Sequence, residues 1–352
     1  MNYILFDPPE IERFYPFTMT RPLGEMRLFG GTIKEIWESF LGCQVSYLTR
    51  DYLSELYPAV WSKSGNVLIN SEYLPSNEDN QFINTSNCNI SLNEVHNMWH
   101  NKQCVSGSAV RLFDKSSFFT HIKQQYVSDK NKLDCSNKPL FNDDEGPIII
   151  EEDVIIMQGS MIKGPVHICK GSIIKMGAKI YGPTIIGPYC KIGGEVSNSI
   201  FLGFSNKSHE GFIGHSIIGE WCNIGAGTSN SNLKNDYGFV KTWDYVHEKF
   251  TNSGQQFLGL YLGDHSKCAI NTSFNTGTTV GVNCNIFGSG FPRNFIPSFS
   301  WGGSQGLREY NLLKALEVAK KVMSRRNVKL TQQYADVMRF VFTMTSHFRH
   351  FN

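Results

Sequence analysis

Net charge, metal-spaced cysteines, long apolar runs and a basic leader are all scarce or missing in this 352-residue chain, and each absence excludes something. Lysine plus arginine total 33 against 31 aspartates and glutamates, a formal charge of +2. With a pI near 8.0, nothing argues for nucleic acid or an anionic membrane as partner. No apolar run approaches the roughly 20 residues needed to cross a bilayer. The opening MNYILFDPPE lacks the basic start and apolar core of a secretory signal, so a cytoplasmic protein is expected. Nine cysteines, an odd number without a Cys-x-x-Cys pair, read as buried thiols in a reducing compartment, not as a disulfide framework or zinc site. Apolar residues make up 41% of the chain, enough for a sizeable core and more than one domain.

What is abundant is order. Ile150, Ile156, Ile162, Ile168, Ile174, Ile180, Ile186 and Ile192 stand six residues apart, and four residues after each comes Val154, Ser160, Val166, Ser172, Ala178, Thr184, Cys190 or Val196. A period of six fits neither helix nor hairpin. It is the mark of a parallel β-helix, in which each hexad makes one flat side and three hexads close a triangular coil around the stacked isoleucines. Cys190, Cys222 and Cys284 fall in the small-residue slot and read as filler. The beat fails after Ile192 and resumes at Phe212, Ile218 and Ile224, shifted in phase, which suggests an insertion. A second break, about Asn230 to Leu260, precedes Leu262, Cys268, Phe274, Val280 and Ile286. Insertions in a solenoid emerge on its surface and commonly shape a site. The coil is expected to end near Phe291-Pro292. From Leu307 the pattern turns helical, with Leu312, Leu313, Leu316 and Ala319 on one face, and a second helix is expected over Gln332 to Thr345, the pair capping the open end of the coil. Three domains follow: 1–145, 146–303 and 304–352.

Residues 1–145 read as mixed α/β, with strands at Tyr3 to Phe6, Val45 to Leu48 and Val67 to Asn70, and a helix over Thr32 to Leu41. Residues 76–145 read as loops with short strands, and His96, Trp99 and His100 as a packed or surface cluster. The stretch Glu12 to Glu38, ERFYPFTMTRPLGEMRLFGGTIKEIWE, resembles the start of the sugar-1-phosphate nucleotidyltransferases. Arg13, Thr18 and Arg21 keep that frame. The family's phosphate-cradling loop needs glycines that let backbone N–H groups approach the nucleotide, and here the place is taken by Phe6-Asp7-Pro8-Pro9-Glu10. The family's lysine falls on Leu23, and its Mg²⁺-holding aspartate has no match near Asn70-Ser71-Glu72. A degenerate domain is expected, with Mg²⁺ needed only if it is active.

The break itself, NKSHEGFIGHSIIGEWCNIGAGTSNSN over Asn206 to Asn232, resembles the acetyltransferase half of the bifunctional N-acetylglucosamine-1-phosphate uridyltransferase/glucosamine-1-phosphate acetyltransferase. That resemblance implies a left-handed β-helix trimer using acetyl-CoA. It places the catalytic base on His209, substrate contacts on Lys175, Phe212 and Asn223, and coenzyme contacts on Ala226, Asn232 and Gly288. An imidazole suits the task because its pKa lies near operating pH, so it can take a proton from an amine attacking a thioester. Phe212 lacks the hydroxyl of the family's tyrosine, and Gly214-His215 replaces Gly-Asp.

The resulting expectation is an acetyl-CoA-dependent N-acetyltransferase acting on an amino-sugar phosphate or nucleotide sugar, a homotrimer without nucleic-acid or membrane partners. Two readings stand beside it: a sugar-nucleotide-binding scaffold without catalysis, and sugar-1-phosphate nucleotidyl transfer. A zinc site of the γ-carbonic-anhydrase kind would need His209, His215 and His265, whose spacing does not force them together, and no metal is expected.

Overall fold

A computed structural model describes residues 1–75, 82–101, 110–122 and 140–351. From Phe141 the chain winds into a parallel β-helix of about nine turns. Its first face carries Met161–Lys163, Lys179–Tyr181, Glu195–Ser197 and Phe212–Gly214. The second carries eight strands from Ile148–Ile150 to Phe295–Ile296, and the third nine, from Ile155–Ile156 to the final hairpin Ser300–Gly303 and Gly306–Glu309. Register explains the ladder. Ile162 pairs with Ile180 and that with Val196, Ile168 with Ile186, and Ile174 with Ile192. All of them point inward and are buried. At about 1.5–3 kcal/mol per buried isoleucine, this stack is the main source of the coil's stability.

The first break is not an insertion. Ile168 and Ile186 are paired at a separation of 18 residues, but Ile186 pairs with Phe201 after only 15. The coils here lose residues and continue without interruption. The loss changes which residue faces inward: Ile213, not Phe212, pairs with Val196 and enters the core. In the third face the slot above Ile192 is filled by Lys207. The second break is a true insertion, and part of it is the hairpin Lys241–Asp244 and Lys249–Asn252. Leu262, Cys268, Phe274, Val280 and Ile286 then return to the core as the period requires.

The second face is buried on both sides. Its outward residues Ile149, Ile185, Ile200, Ile217 and Tyr261 join the core of the N-terminal unit, whose four-stranded sheet runs Val45–Leu48, Asn2–Phe6, Asn66–Asn70, Phe82–Thr85, with the last strand antiparallel. The helix Ile33–Leu41 starts on a capping box between Thr32 and Glu35 and stops at Gly42, which takes the left-handed conformation (φ 67°). Residues 76–145 hold more helix than expected: Leu92–Asn101 is helical, as is Ser117–His121. Parts of that stretch lie outside the described residues. His96 hydrogen-bonds the Asp7 carbonyl at 2.8 Å and Trp99 packs edge-on against Phe6, whereas His100 is exposed.

Past Phe291-Pro292 the coil continues through Ser300–Gly303, and Leu307 belongs to the closing strand, where it packs on the end of the coil core. The helices are Leu312–Ser324 and Gln332–Met344. Leu313 is 72% exposed, whereas Leu316 and Ala319 are buried. The pair does not cap the coil. It lies along its side, joining Val282 and Phe299 of the coil to Tyr15 and Leu53 of the N-terminal unit, with Tyr52 stacked on Phe340 at 4.1 Å.

Candidate functional site

Consecutive coils place equivalent residues one above another. Lys207 pairs with Ile192, and Ile224 with Cys268, which in turn pairs with Ile286, while Asn206 pairs with Asn223. Two residues beyond each third-face strand the chain turns the corner toward the first face. His209, Ala226, Ile270 and Gly288 therefore occupy the same place on four successive coils. The N–H of Asn271 bonds to the Ala226 carbonyl at 2.7 Å and that of Gly227 to the Glu210 carbonyl at 2.8 Å, locking the register. With coils about 4.8 Å apart, the row runs about 14 Å from His209 to Gly288. His209 and Gly288 are exposed, Ala226 is half-buried, and Ile270 is 69% exposed, leaving an apolar strip along this edge.

On either side of the His209 corner stand the two expected sugar contacts. Asn223 projects from the third face and accepts a hydrogen bond from Asn206 at 2.8 Å. Phe212 projects from the first face, its N–H held by Ser229 at 3.0 Å. Lys175 lies along the same edge two coils below Ser208, packed on Gly193. Asn232 stands apart from this row. It sits at the corner between the first and second faces and bonds His215 Nδ1 at 2.9 Å.

Lys207 is the residue the sequence pattern did not single out. Its side chain is buried inside the coil, at 1% exposure. Nζ donates to the carbonyls of Gly193 at 2.9 Å and His209 at 2.7 Å. Burial is the largest influence on its ammonium and lowers its pKa to about 8, against a smaller opposing pull from Glu210. The signal was in the sequence: a lysine stands in the inward slot once the coils are counted as shortened. Gly211 shapes the turn just after His209. It has φ +123°, and a Cβ there would lie 2.1 Å from the Thr228 carbonyl oxygen.

The nucleotidyltransferase-like positions are engaged elsewhere. Arg21 is buried and paired with Asp264 and, at 3.0 Å, with Glu220, both from the coil. Thr20 also donates to Asp264, at 2.6 Å. Arg13 pairs with Glu72, which Arg111 also holds at 3.0 Å. Thr18 donates to the Ile11 carbonyl at 3.3 Å. Asp7 accepts from the Leu23 N–H at 2.8 Å and is paired with Arg50 at 3.2 Å. The two carboxylates at this end of the sheet, Asp7 and Glu72, already have guanidinium partners, so the residues present do not fit a Mg²⁺ ion.

His209, His215 and His265 lie on three different edges of the coil, and one chain does not bring them together. Among the described residues the one group with ligand atoms close together is Glu151, His167 and Cys169. Glu151 and Cys169 both face the same ring nitrogen, Nε2 of His167. The Gly30 N–H reaches Nδ1 at 3.4 Å and the Arg27 guanidinium lies 4.0 Å from Cys169 Sγ. A cation already stands against the sulfur, and the group ties the N-terminal unit to the coil.

Residues 3–162 match the family of sugar nucleotidyl transferases. A bifunctional sugar-1-phosphate nucleotidylyltransferase/acetyltransferase of Sulfurisphaera tokodaii is 37% identical over 145 residues, 41% of this chain and 36% of the relative. The chain thus spans about a third of the curated relative it matches. Among solved structures, the polySia-specific acetyltransferase NeuO aligns at 15% identity over 43% of this chain and 76% of its own, with a TM-score of 0.29. An Arabidopsis UDP-N-acetylglucosamine acyltransferase aligns at 15% identity over 50% and 70%, with a TM-score of 0.21.

Proposed function

We propose that the chain, whose residues 3–162 match the family of sugar nucleotidyl transferases, transfers an acetyl group from acetyl-CoA to the amine of an amino-sugar phosphate or nucleotide sugar. The observation that carries this reading is the alignment of His209, Ala226 and Gly288 on one edge of the coil, with Asn223 and Phe212 on either side of the His209 corner. The pantetheine arm lies along the apolar strip past Ala226 and Ile270, with its thioester toward His209. His209 takes the proton as the amine nitrogen attacks the thioester carbon. The C–S bond then breaks, coenzyme A leaves as the thiol, and the amide remains on the sugar. No acyl-enzyme is needed.

The exposed edge carrying these residues is the natural meeting line for a second copy, and a homotrimer with sites between subunits is part of the proposal. Light scattering would read it directly. Nucleotidyl transfer is the weaker reading because Asp7, Arg13 and Arg21 are already committed to protein partners.

The decisive experiment is thiol release from acetyl-CoA in the presence of a panel of amino-sugar 1-phosphates and nucleoside-diphosphate amino sugars. His209→Ala should lower kcat about 10²–10⁴-fold. Undiminished turnover in that variant would remove His209 as the base.

A further inference from the structure

Beside Asn223 the third face carries a groove of about 300 Å³, lined by Lys191, Asn206, Asn223, Lys267, Arg325 and Arg326. The first four are the outward residues of consecutive coils, so the row spans roughly 14 Å at the usual strand spacing. Arg325 and Arg326 reach in from just beyond the helix Leu312–Ser324, and Arg326 is tied to the coil by a bond from Nη1 to the Tyr189 carbonyl at 3.3 Å. One wall is aromatic: Phe204 and Trp221 stack at 4.2 Å with an interplanar angle of 10°.

Among its described lining residues the groove holds four cations and no carboxylate. Lys267 donates to the His265 carbonyl at 2.7 Å, and its pKa is lowered by burial. Lys191 is also lowered, first by Arg326 and then by burial, Lys175 and Arg325. Cations this close repel one another. In a chain whose acids and bases nearly balance, such a cluster is left for an anionic ligand to complete.

We propose that this groove binds the diphosphate of a nucleoside-diphosphate sugar, which makes the acceptor a nucleotide sugar and not a sugar monophosphate. Lys191 and Lys267 lie three coils apart with two guanidiniums opposite them. A single phosphate reaches one end of that row, whereas a diphosphate with its flanking nucleoside and sugar extends along it toward both. Phe204 and Trp221 offer the nucleoside an apolar wall, and Asn223, shared with the His209 corner, receives the sugar. This inference rests on the acetyl-transfer reading only for the sugar's approach to His209. The diphosphate site stands on the groove alone.

Calorimetry on the full chain with inorganic phosphate, inorganic pyrophosphate and UDP tests it. Pyrophosphate and UDP should bind, with phosphate at least about ten-fold weaker. The double variant Arg325→Ala/Arg326→Ala, at the end of a surface helix, should weaken UDP by about ten-fold or more while the urea midpoint stays where it was. His209→Ala should bind UDP as the wild type does, so a failure of acetyl transfer leaves this result untouched. Phosphate binding as tightly as pyrophosphate, no binding of any of the three, or full UDP affinity in the double variant would overturn the assignment.

Discussion

Replacing Lys207 by methionine tests how the interior of the coil supports His209. The ammonium sits in a slot that isoleucines fill on the neighbouring coils, holding the carbonyls of Gly193 and His209 at 2.9 and 2.7 Å. Its pKa in the fold is about 8, against about 10.4 in an unfolded chain. Between those values the unfolded chain binds more protons than the folded one, so stability rises with pH through this window. The charged lysine therefore costs the fold about 3 kcal/mol at pH 7, and raising the pH to 9.5 recovers about 2 kcal/mol of it. Methionine removes that cost but strips two buried carbonyls of a donor, worth about 1–3 kcal/mol each. The two effects oppose each other at pH 7, where the net change should lie within about 2 kcal/mol of zero. The pH dependence separates them. In urea titrations the wild type should gain on Lys207→Met by about 2 kcal/mol between pH 7 and 9.5, because only the wild type has this proton to lose. A difference that stays constant across that range would refute the buried ammonium. If the amine also fixes the His209 turn, kcat for the proposed acetyl transfer should fall in Lys207→Met with KM for the acyl donor little changed.

Three further outcomes follow from buried contacts away from that slot. Arg21→Ala should cost about 3–5 kcal/mol in urea unfolding, because it leaves Asp264 buried without its cation. His215 is held near a pKa of about 4 by burial, below its unfolded value of about 6.5, so its contribution is present above pH 6.5 and lost as the pH falls toward 4. Replacing it by phenylalanine should flatten that part of the acid stability curve, and an unchanged curve would count against the assignment. Among the described cysteines, Cys43 and Cys88 are exposed, whereas Cys190 and Cys284 are buried with pKa values pushed up to about 12 by burial. A thiol reagent should therefore modify the first pair quickly and the second only on unfolding.

The coil was legible because its repeat is set by one repulsion from water acting at a fixed spacing. Each interior position must be apolar, each corner must be narrow, and Ile162 to Ile192 obey both. The same logic failed where residues were lost. A shortened side and an inserted loop break the period alike in a sequence, and only pairing, Ile186 with Phe201, tells them apart. The helical tail misled for a different reason. Its apolar stripe announces burial but not the surface it meets, and here that surface is the side of the coil and Leu53 of the N-terminal unit. The doubled isoleucines were a clue to this second layer: Ile149 beside Ile148 and Ile185 beside Ile186 mark a face buried both inside and out.

At the site, legibility followed the backbone more than the side chains. The resemblance named His209, Ala226 and Gly288, and the pairing of the coils puts them in one column, because register fixes their height and corner. It does not reveal that Asn232 sits on a different edge with His215, since that depends on where the 230–260 insertion leaves the coil. Nor does it reveal partners distant in sequence. Arg21 keeps the nucleotidyltransferase-like frame, yet it meets Asp264, 243 residues on. Of the retained frame, Arg21 binds the coil, whereas Arg13 and Thr18 are held within the N-terminal unit. Arg21 and Arg50 of the N-terminal unit neutralise buried carboxylates, while Arg325 and Arg326 of the C-terminal tail line a groove whose described lining residues include cations and no carboxylate. The proposed diphosphate site therefore rests on unbalanced charge on the third face, whereas the motif residues Arg13 and Arg21 are already paired.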